Sequence, residues 1–516
     1  PSIWYEVHLE GGDFSVEGYS FPGIPGVIVG HNEDIAWGVT NVNPDVQDLY
    51  IERINPDNPD QYDYQGQWLD MAILEEVIEV EGQGPVVERV RSTHHGPMIN
   101  PVVEDLTEVL AFRWTALEPN RMLDSLFMLN RASNWDEFRA ALALWAVPSQ
   151  NFVYADREGN IGYQTPGVIP TRVEGHTGLL PVPGWTGEYE WQGYIPFEEL
   201  PSVSNPSTHF IVTANNKVVG DEYPHVLAYD FAVGHRAQQI TTLLEEKDVL
   251  SIEDFHRIHG DRYSVPGEIF TPYILEIEPE GFLQERALNE IRPWDYHSDA
   301  DSTGAAIFEV FYRELVKNTF GDELGEELLA QYLGAGTWHE IALESMIYDS
   351  DTDWFDDVTT PGRETRDDIV VRAFADACDY LGNKFGDVPH TWKWGRLHEI
   401  TFVHQPLGQS GIPVLEAIVN RGPVEIGGSA YTVSAASYDA DQPFATVDGV
   451  SQRLIVDLSN FDNSLSTHTL GQSGLPFHKH YDDMIPLWQT VKYHPLLWSK
   501  DAVEQNHEGL LLLTPQ

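Results

Sequence analysis

The 516-residue chain carries 82 Asp and Glu against 29 Lys and Arg, a formal net charge of −53. Such a field repels nucleic acid and anionic lipid, so neither is expected as a partner. Hydrophobic residues make up 42%, a globular rather than a disordered composition, and no apolar run approaches the roughly 20 residues that span a bilayer.

The acids are spread along the chain and not gathered in a tail. Lys supplies 8 of the 29 cations, the first being Lys217. An acidic, lysine-poor surface suits concentrated salt, where screening removes self-repulsion. The halophile reading and its rival, a cationic partner, are separated by melting temperature against KCl.

SIWYEVHL reads as a strand from the second residue onward. Pro22 to Tyr50 then reads as two strands, Val27 to Val29 and Ile35 to Val39. Gly30-His31-Asn32-Glu33-Asp34 is the expected turn, and Asp45 and Asp48 lie in the loop beyond Thr40-Asn41. Ile73 to Glu81 and Val86 to Thr93 alternate about Gly82-Gln83-Gly84, a hairpin. Asp124 to Leu144 reads helical, with Ser133-Asn134 starting its second part. Phe152 to Gln164 returns to strand with a turn at Arg157 to Asn160. A Pro/Gly-rich stretch fills 165–208, and Phe210 to Thr213 reads as a strand ending at Ala214-Asn215-Asn216.

From Arg236 to about Tyr380 the pattern is helical, clearest at Arg236 to Glu246, Ile252 to Gly260, Gly304 to Asn318 and Arg366 to Tyr380. Strands are expected again at EITFVH, SAYTVSA and QRLIVDLS. The order β, helical block, β predicts a sheet completed by strands distant in sequence.

Standard catalytic signatures are missing: there is no GxSxG elbow, HExxH, Walker A or GxGxxG. Asp299 to Gly304 resembles the start of a calcium loop without its closing Glu and reads as a helix-capping turn. Asp349, Asp351 and Asp353 read as a solvated acidic loop. The only cysteine, Cys378, sits at helical apolar spacing and reads as a buried structural thiol. His398 and His404 read as structural histidines.

The stretches PSIWYEVHL, PGIPGVIVGHNEDIAWGVTN, Thr93-His94-His95-Gly96-Pro97, NFVYADREGNIGYQ, LLPVPGW, VTANNKVVGDEYP, WKWGRLHEITFVH and GQSGLPFHKHYDDMIPLW occur in one order. In that combination the chain resembles the large β subunit of the penicillin acylase family of N-terminal-nucleophile hydrolases. The resemblance implies an α+β fold, a four-layer αββα sandwich over 1–516, with 236–390 as a mostly helical insertion. It implies amide hydrolysis of an N-acyl small-molecule substrate such as a penicillin, through an acyl-enzyme on an N-terminal serine freed by self-cleavage. An α-amine titrates near neutrality and can act as that serine's base.

Pro1 matches a position inside the family's β subunit, so the nucleophile and the small α subunit from the same precursor are expected upstream. Ser2 falls within the WYE strand motif and is not assigned as nucleophile. Asn41 matches the family's backbone N–H donor to the oxyanion, Asn215 the side-chain amide donor, and Arg236 the arginine that orients it. Val29, Gln150 and Leu126 or Phe127 match acyl-pocket positions. Val29 is aliphatic where penicillin G acylases are aromatic, which opens the substrate range to acyl-homoserine lactones or lipopeptides. Asp45, the Gln47 carbonyl, Asp48 and the Gly178 carbonyl match a structural Ca2+ site. Asp221 and Asp230 compete for a further ligand position. An extracellular, periplasmic or cell-surface location in a high-salt environment is expected. A non-catalytic binding relative is the reading from a different class.

Overall fold

A computed structural model of the chain describes residues 3–103, 106–334, 338–350, 352–438 and 443–514. Pro1, Ser2 and Asp351 lie outside the described residues.

Seven strands form an antiparallel meander: β1 (Tyr5–Gly11), β2 (Phe14–Ser20), β3 (Val29–Asn32), β4 (Ile35–Asn41), β5 (Gln150–Asp156), β6 (Ile161–Gln164) and β7 (Ser202–Ser204). Alternation sends Val16, Ile35, Trp37, Phe152 and Tyr154 to one face. Two short helices cover that face, α1 (Met122–Leu129) and α2 (Trp135–Leu142), burying Leu129, Phe138 and Leu142. The expected second start is where α2 begins: Asn134 Oδ1 accepts from the Glu137 N–H at 3.0 Å, an N-cap.

The β2–β3 crossing needs glycine on both strands. Gly18 faces Gly30, and a Cβ on Gly30 would stand 2.0 Å from the Glu17 carbonyl oxygen. The turn after β3 is tighter than expected. The strand continues through Asn32, whose Oδ1 accepts from the N–H groups of Asp34 and Ile35, both at 2.9 Å.

The other face of the meander meets a second sheet of β8 (Gln452–Ile455), β9 (Leu465–His468) and β10 (His494–Pro495). Tyr19 and Glu6 both reach Ser466 across the interface, and Trp4 Nε1 donates to Ser451 Oγ at 2.9 Å. Behind this sheet lie α3 (His235–Glu245) and α4 (Ile252–His259); α4 packs on β8, and His259 Nδ1 is 2.7 Å from the Tyr493 hydroxyl. The layers run helix, sheet, sheet, helix, and the sheet partners are distant in sequence, as the β–helical–β order implied.

Five more helices complete the helical block: α5 (Val265–Leu275), α6 (Phe282–Ile291), α7 (Thr303–Leu333), α8 (Trp338–Met346) and α9 (Arg366–Phe385). Phe308, Phe311 and Leu315 of α7 pack with Ile369, Phe374, Cys378 and Leu381 of α9. Burial pushes the Cys378 thiol up to about 12, so it stays a packed thiol. Ser302 caps α7, accepting from the Ala305 N–H at 3.1 Å, which makes Asp299–Gly304 the capping turn expected.

In α5, Pro266 sits in the first turn, where no N–H is needed, and Ser264 caps the helix. Two expectations fail locally. SAYTVSA is mostly a bend: Thr432 Oγ1 bonds the backbone of Ser429 in both directions, leaving Ala436–Tyr438 as the strand. Phe210–Thr213 joins no sheet and instead lines a cavity. The hairpin of Ala72–Ile78 with Val86–Thr93 is present, and no helix among the described residues is long and apolar enough to cross a membrane.

Candidate active site

The end of β4 is pinned from two directions. Asn151, fully buried on β5, donates from Nδ2 to the Asn41 carbonyl and to Thr40 Oγ1, both at 3.1 Å. Tyr163 fixes Asn151 by donating to its Oδ1 at 2.6 Å. From the other side Asn215 Nδ2 donates to the same Asn41 carbonyl at 3.0 Å. Thr40 Oγ1 donates to Thr213 Oγ1 at 2.9 Å, tying the strand end to the segment that carries Asn215.

Asn215 has φ of +65°, a left-handed conformation that asparagine tolerates and that is enriched at functional positions. Its amide orientation is decided by chemistry. Arg236 Nη2, at the start of α3, donates to Asn215 Oδ1 at 3.0 Å, so the oxygen faces the guanidinium and the nitrogen faces Asn41. One N–H of the amide bonds the Asn41 carbonyl, which leaves the second beside an exposed strand end. The three sequence-assigned residues Asn41, Asn215 and Arg236 are therefore one hydrogen-bonded unit. Burial lowers the Arg236 pKa from its ordinary value.

Next to Thr40 and Thr213 a cavity of about 610 Å³ opens between the two sheets. Val29, Val39, Val153 and Leu454 line it together with the aromatic residues Trp37, Tyr154, Phe210 and Phe255. Val29 therefore lies on this cavity. The other three pocket candidates are not on this lining. Gln150 is buried and donates from Nε2 to Asn41 Oδ1 at 2.8 Å, which makes it a positioning residue for the strand end. Leu126 is buried in α1 beside Gly26, and Phe127 is exposed on that helix.

Four residues beyond Asn41 the acidic loop is differently built. Arg172 brackets the buried Asp48 carboxylate, with Nη2 at 2.7 Å from Oδ1 and Nε at 3.1 Å from Oδ2. Trp191 Nε1 adds 2.7 Å to Oδ2. Asp48 is thus saturated, and a Cβ on Gly178 would meet Asp48 Oδ1 at 2.8 Å. Asp45 is not saturated. Its Oδ2 is buried with no hydrogen-bond partner among the described residues, and its carboxyl is pushed up to about 6, first by burial and then by Asp48 and Asp230, against the pull of Arg172. Asp45, Gln47 and Asp230 line one small polar cavity of about 270 Å³. Asp221 is instead exposed and paired with Lys217 at 2.8 Å. An orphaned carboxylate oxygen in an oxygen-lined cavity fits a hard cation.

His398 is buried against Trp394, and its Nδ1 lies 2.8 Å from the Phe444 carbonyl; burial lowers it to about 4. It is structural, as its sequence setting implied.

The sequence profile described as penicillin amidase matches residues 1–505. The chain belongs to the penicillin amidase family. Among family relatives it is 30% identical to the acyl-homoserine lactone acylase QuiP of Pseudomonas aeruginosa, over 96% of this chain and 63% of the relative. It is 28% identical to the penicillin acylase 2 proenzyme of Pseudomonas sp. strain SE83, over 98% and 64%. Against the penicillin G acylase of Escherichia coli it is 26% identical, over 100% and 62%. The chain thus spans a little under two thirds of these curated relatives. A solved thermostable penicillin G acylase from Alcaligenes faecalis superposes with a TM-score of 0.75 at 21% identity, covering 100% of this chain and 95% of that chain. This family fold accounts for the facing sheets and the outer helices. Asn151, Thr213 and Arg172 were not singled out in the sequence. Their polar partners lie 111, 173 and 124 residues away, which no local pattern reveals.

Proposed function

We propose that the protein is an acylase that hydrolyses an N-acyl amide, with the Asn41 backbone N–H and the Asn215 amide as its oxyanion donors. The observation that carries this reading is the amide of Asn215. It is held left-handed, with its oxygen on Arg236 and one N–H on the strand end, so the other N–H is aimed without reorganisation. A neutral amide donates without acting as a competing base.

In this reading a serine from a segment outside residues 1–516 attacks the amide carbonyl, and its own α-amine takes the hydroxyl proton. Collapse of the tetrahedral intermediate breaks the C–N bond. The α-ammonium returns its proton to the leaving amine, and an ester remains on the serine. Water, deprotonated by the same amine, then releases the carboxylic acid. A small α subunit from the same precursor would complete the enzyme. The acyl portion would lie against Val29 in the cavity beside Thr40. The aliphatic Val29 in that lining keeps acyl-homoserine lactones and other alkyl amides as a second reading beside penicillins.

The loop cavity at Asp45, the Gln47 carbonyl and Asp230 is proposed to hold Ca2+. The ion would supply structural charge neutralisation and no chemistry to the reaction. Asp48 and the Gly178 backbone would serve the Arg172 ion pair instead. We further propose a high-salt setting outside the cytoplasm, in line with the net charge of −53. Rising melting temperature from dilute to molar KCl is the expected result, and no dependence removes that proposal.

The deciding experiment is acid release by the full-length protein from a panel of penicillins, acyl-homoserine lactones and lipopeptides in molar KCl. Turnover lowered by roughly two to three orders of magnitude in Asn215→Ala supports the reading. Binding without acid release by the unaltered full-length protein would make it a non-catalytic relative.

A further inference from the structure

Three side chains away from the amide unit converge on one point. His94 Nε2, His95 Nε2 and a Glu190 carboxylate oxygen lie within 4.8 Å of one another. Glu190 Oε1 is 3.3 Å from His94 Nε2 and 2.9 Å from His95 Nε2. Ligand atoms bonded at about 2.0–2.1 Å to one tetrahedral ion stand roughly 3.3 Å apart, so the apo spacing already approaches that of a first coordination shell.

Each of the three is also held from behind. His95 Nδ1 is 2.8 Å from Glu52 Oε1, which Thr93 Oγ1 anchors at 2.7 Å. His94 Nδ1 is 3.0 Å from the Tyr62 hydroxyl. Glu190 Oε2 is 3.1 Å from Arg113 Nη1, and that guanidinium lies 4.2 Å over the Trp191 ring. The His95 ring stacks on Tyr50 at 3.8 Å with an interplanar angle of 4°. An imidazole whose far nitrogen is fixed by a carboxylate, presenting its near nitrogen to a shared point, is the arrangement that orients metal-ligating histidines. The competing arrangement is a closed ion-pair network, with a proton rather than a metal between His95 and Glu190.

We propose that His94, His95 and Glu190 form a binding site for a divalent transition ion of the zinc class, two imidazole nitrogens and one carboxylate oxygen with a further position open to water. The softness of the donor set favours zinc over calcium. The side chains of His94 and Glu190 are 34% and 26% exposed, which gives the ion an entry path, while that of His95 is fully enclosed. On binding, the proton between His95 Nε2 and Glu190 leaves to solvent. His95 keeps its Nδ1–H toward Glu52 and gives its Nε2 lone pair to the ion. The ion would clip the end of the strand Val86–Thr93 to the loop carrying Glu190. The site does not depend on the acylase reading.

The test is Zn2+ and Co2+ titration of metal-stripped full-length protein in excess Ca2+, which keeps oxygen-only sites occupied. One tightly held Zn2+ per chain is expected, with release of about one proton. His94→Gln and Glu190→Gln should each lose that equivalent. His94→Gln alters a partly exposed side chain and should leave the metal-free melting temperature unchanged. Glu52→Gln should weaken Zn2+ about 10- to 100-fold without abolishing it. Zn2+ stoichiometry and affinity identical in the unaltered protein and His94→Gln would overturn the proposal and leave an ion-pair network. Absence of any retained Zn2+ would do the same.

Discussion

Two neighbouring regions solve opposite problems. At the β4 end, Asn41, Gln150, Asn151 and Asn215 hold one another through uncharged amides, and a donor is left over at the surface. In the loop that follows, Asp48 and Arg172 quench each other, and Trp191 takes another bond to the carboxylate. Uncharged amides can be packed in series because each offers both donor and acceptor and pays little for partial burial. A buried carboxylate must instead be met by an opposite charge. The first region is arranged to leave a hydrogen bond unmade, and the second to leave none at Asp48.

The sharpest way to break that contrast is Arg172→Met. It strands Asp48 as a buried, unpaired charge, and denaturant unfolding of the full-length protein should lose about 3–5 kcal/mol. A loss below about 1 kcal/mol would mean that the loop is not held by this pair. Asn215→Ala should act on catalysis, lowering turnover by roughly two to three orders of magnitude with a smaller effect on KM. Equal losses in binding and turnover would place the amide in substrate binding and not at the oxyanion.

Asp45 gives a smaller, pH-dependent effect. Its folded pKa, about 6, lies above the unfolded value. The stability it contributes is therefore present below the unfolded pKa and is lost as pH rises through about 6. In chelator, stability should fall by about 2 kcal/mol between pH 4 and 7 through this group, and Asp45→Asn should flatten that window. Added Ca2+ should restore the loss at pH 7 in the unaltered protein only; melting curves across pH, with and without Ca2+, check this. Smallest of all is Asn41→Ala. The backbone N–H survives, and only the Gln150 bond to Oδ1 is removed, so turnover should fall less than about tenfold. A drop as large as that of Asn215→Ala would transfer the donor role to the Asn41 side chain.

Strand β4, the hairpin, the α1–α2 break at Asn134 and the cap at Ser302 were legible locally, since periodicity and capping residues act within a few positions. The outcome at Phe210–Thr213 was not, because this segment lines the cavity and pairs with no strand among the described residues. Neither was the turn at Ser429–Thr432, where side-chain oxygens replaced a ladder. At the site, the resemblance to the penicillin acylase family implied roles for Asn41, Asn215 and Arg236, and the structure joins the three by hydrogen bonds. Gln150, Leu126 and Phe127, expected at the acyl pocket, do not line the cavity beside Thr40, because where a side chain lies depends on the packing of its whole element.

The amino-acid order by itself determined the strongly acidic composition and most of the strand and helix segments, because charge count and periodicity are read within short stretches. The roles expected of Asn41 and Asn215 came from the resemblance to the penicillin acylase family and not from local pattern. Only the tertiary structure decided that the amide oxygen of Asn215 meets Arg236 while its nitrogen meets Asn41, that Asp48 belongs to Arg172 while Asp45 keeps an oxygen with no hydrogen-bond partner among the described residues, and that His94 and His95 face Glu190. Those outcomes depend on contacts between residues about 20 to more than 120 positions apart. Hydrogen bonds and charges are settled by distance in space, which spacing along the chain does not encode.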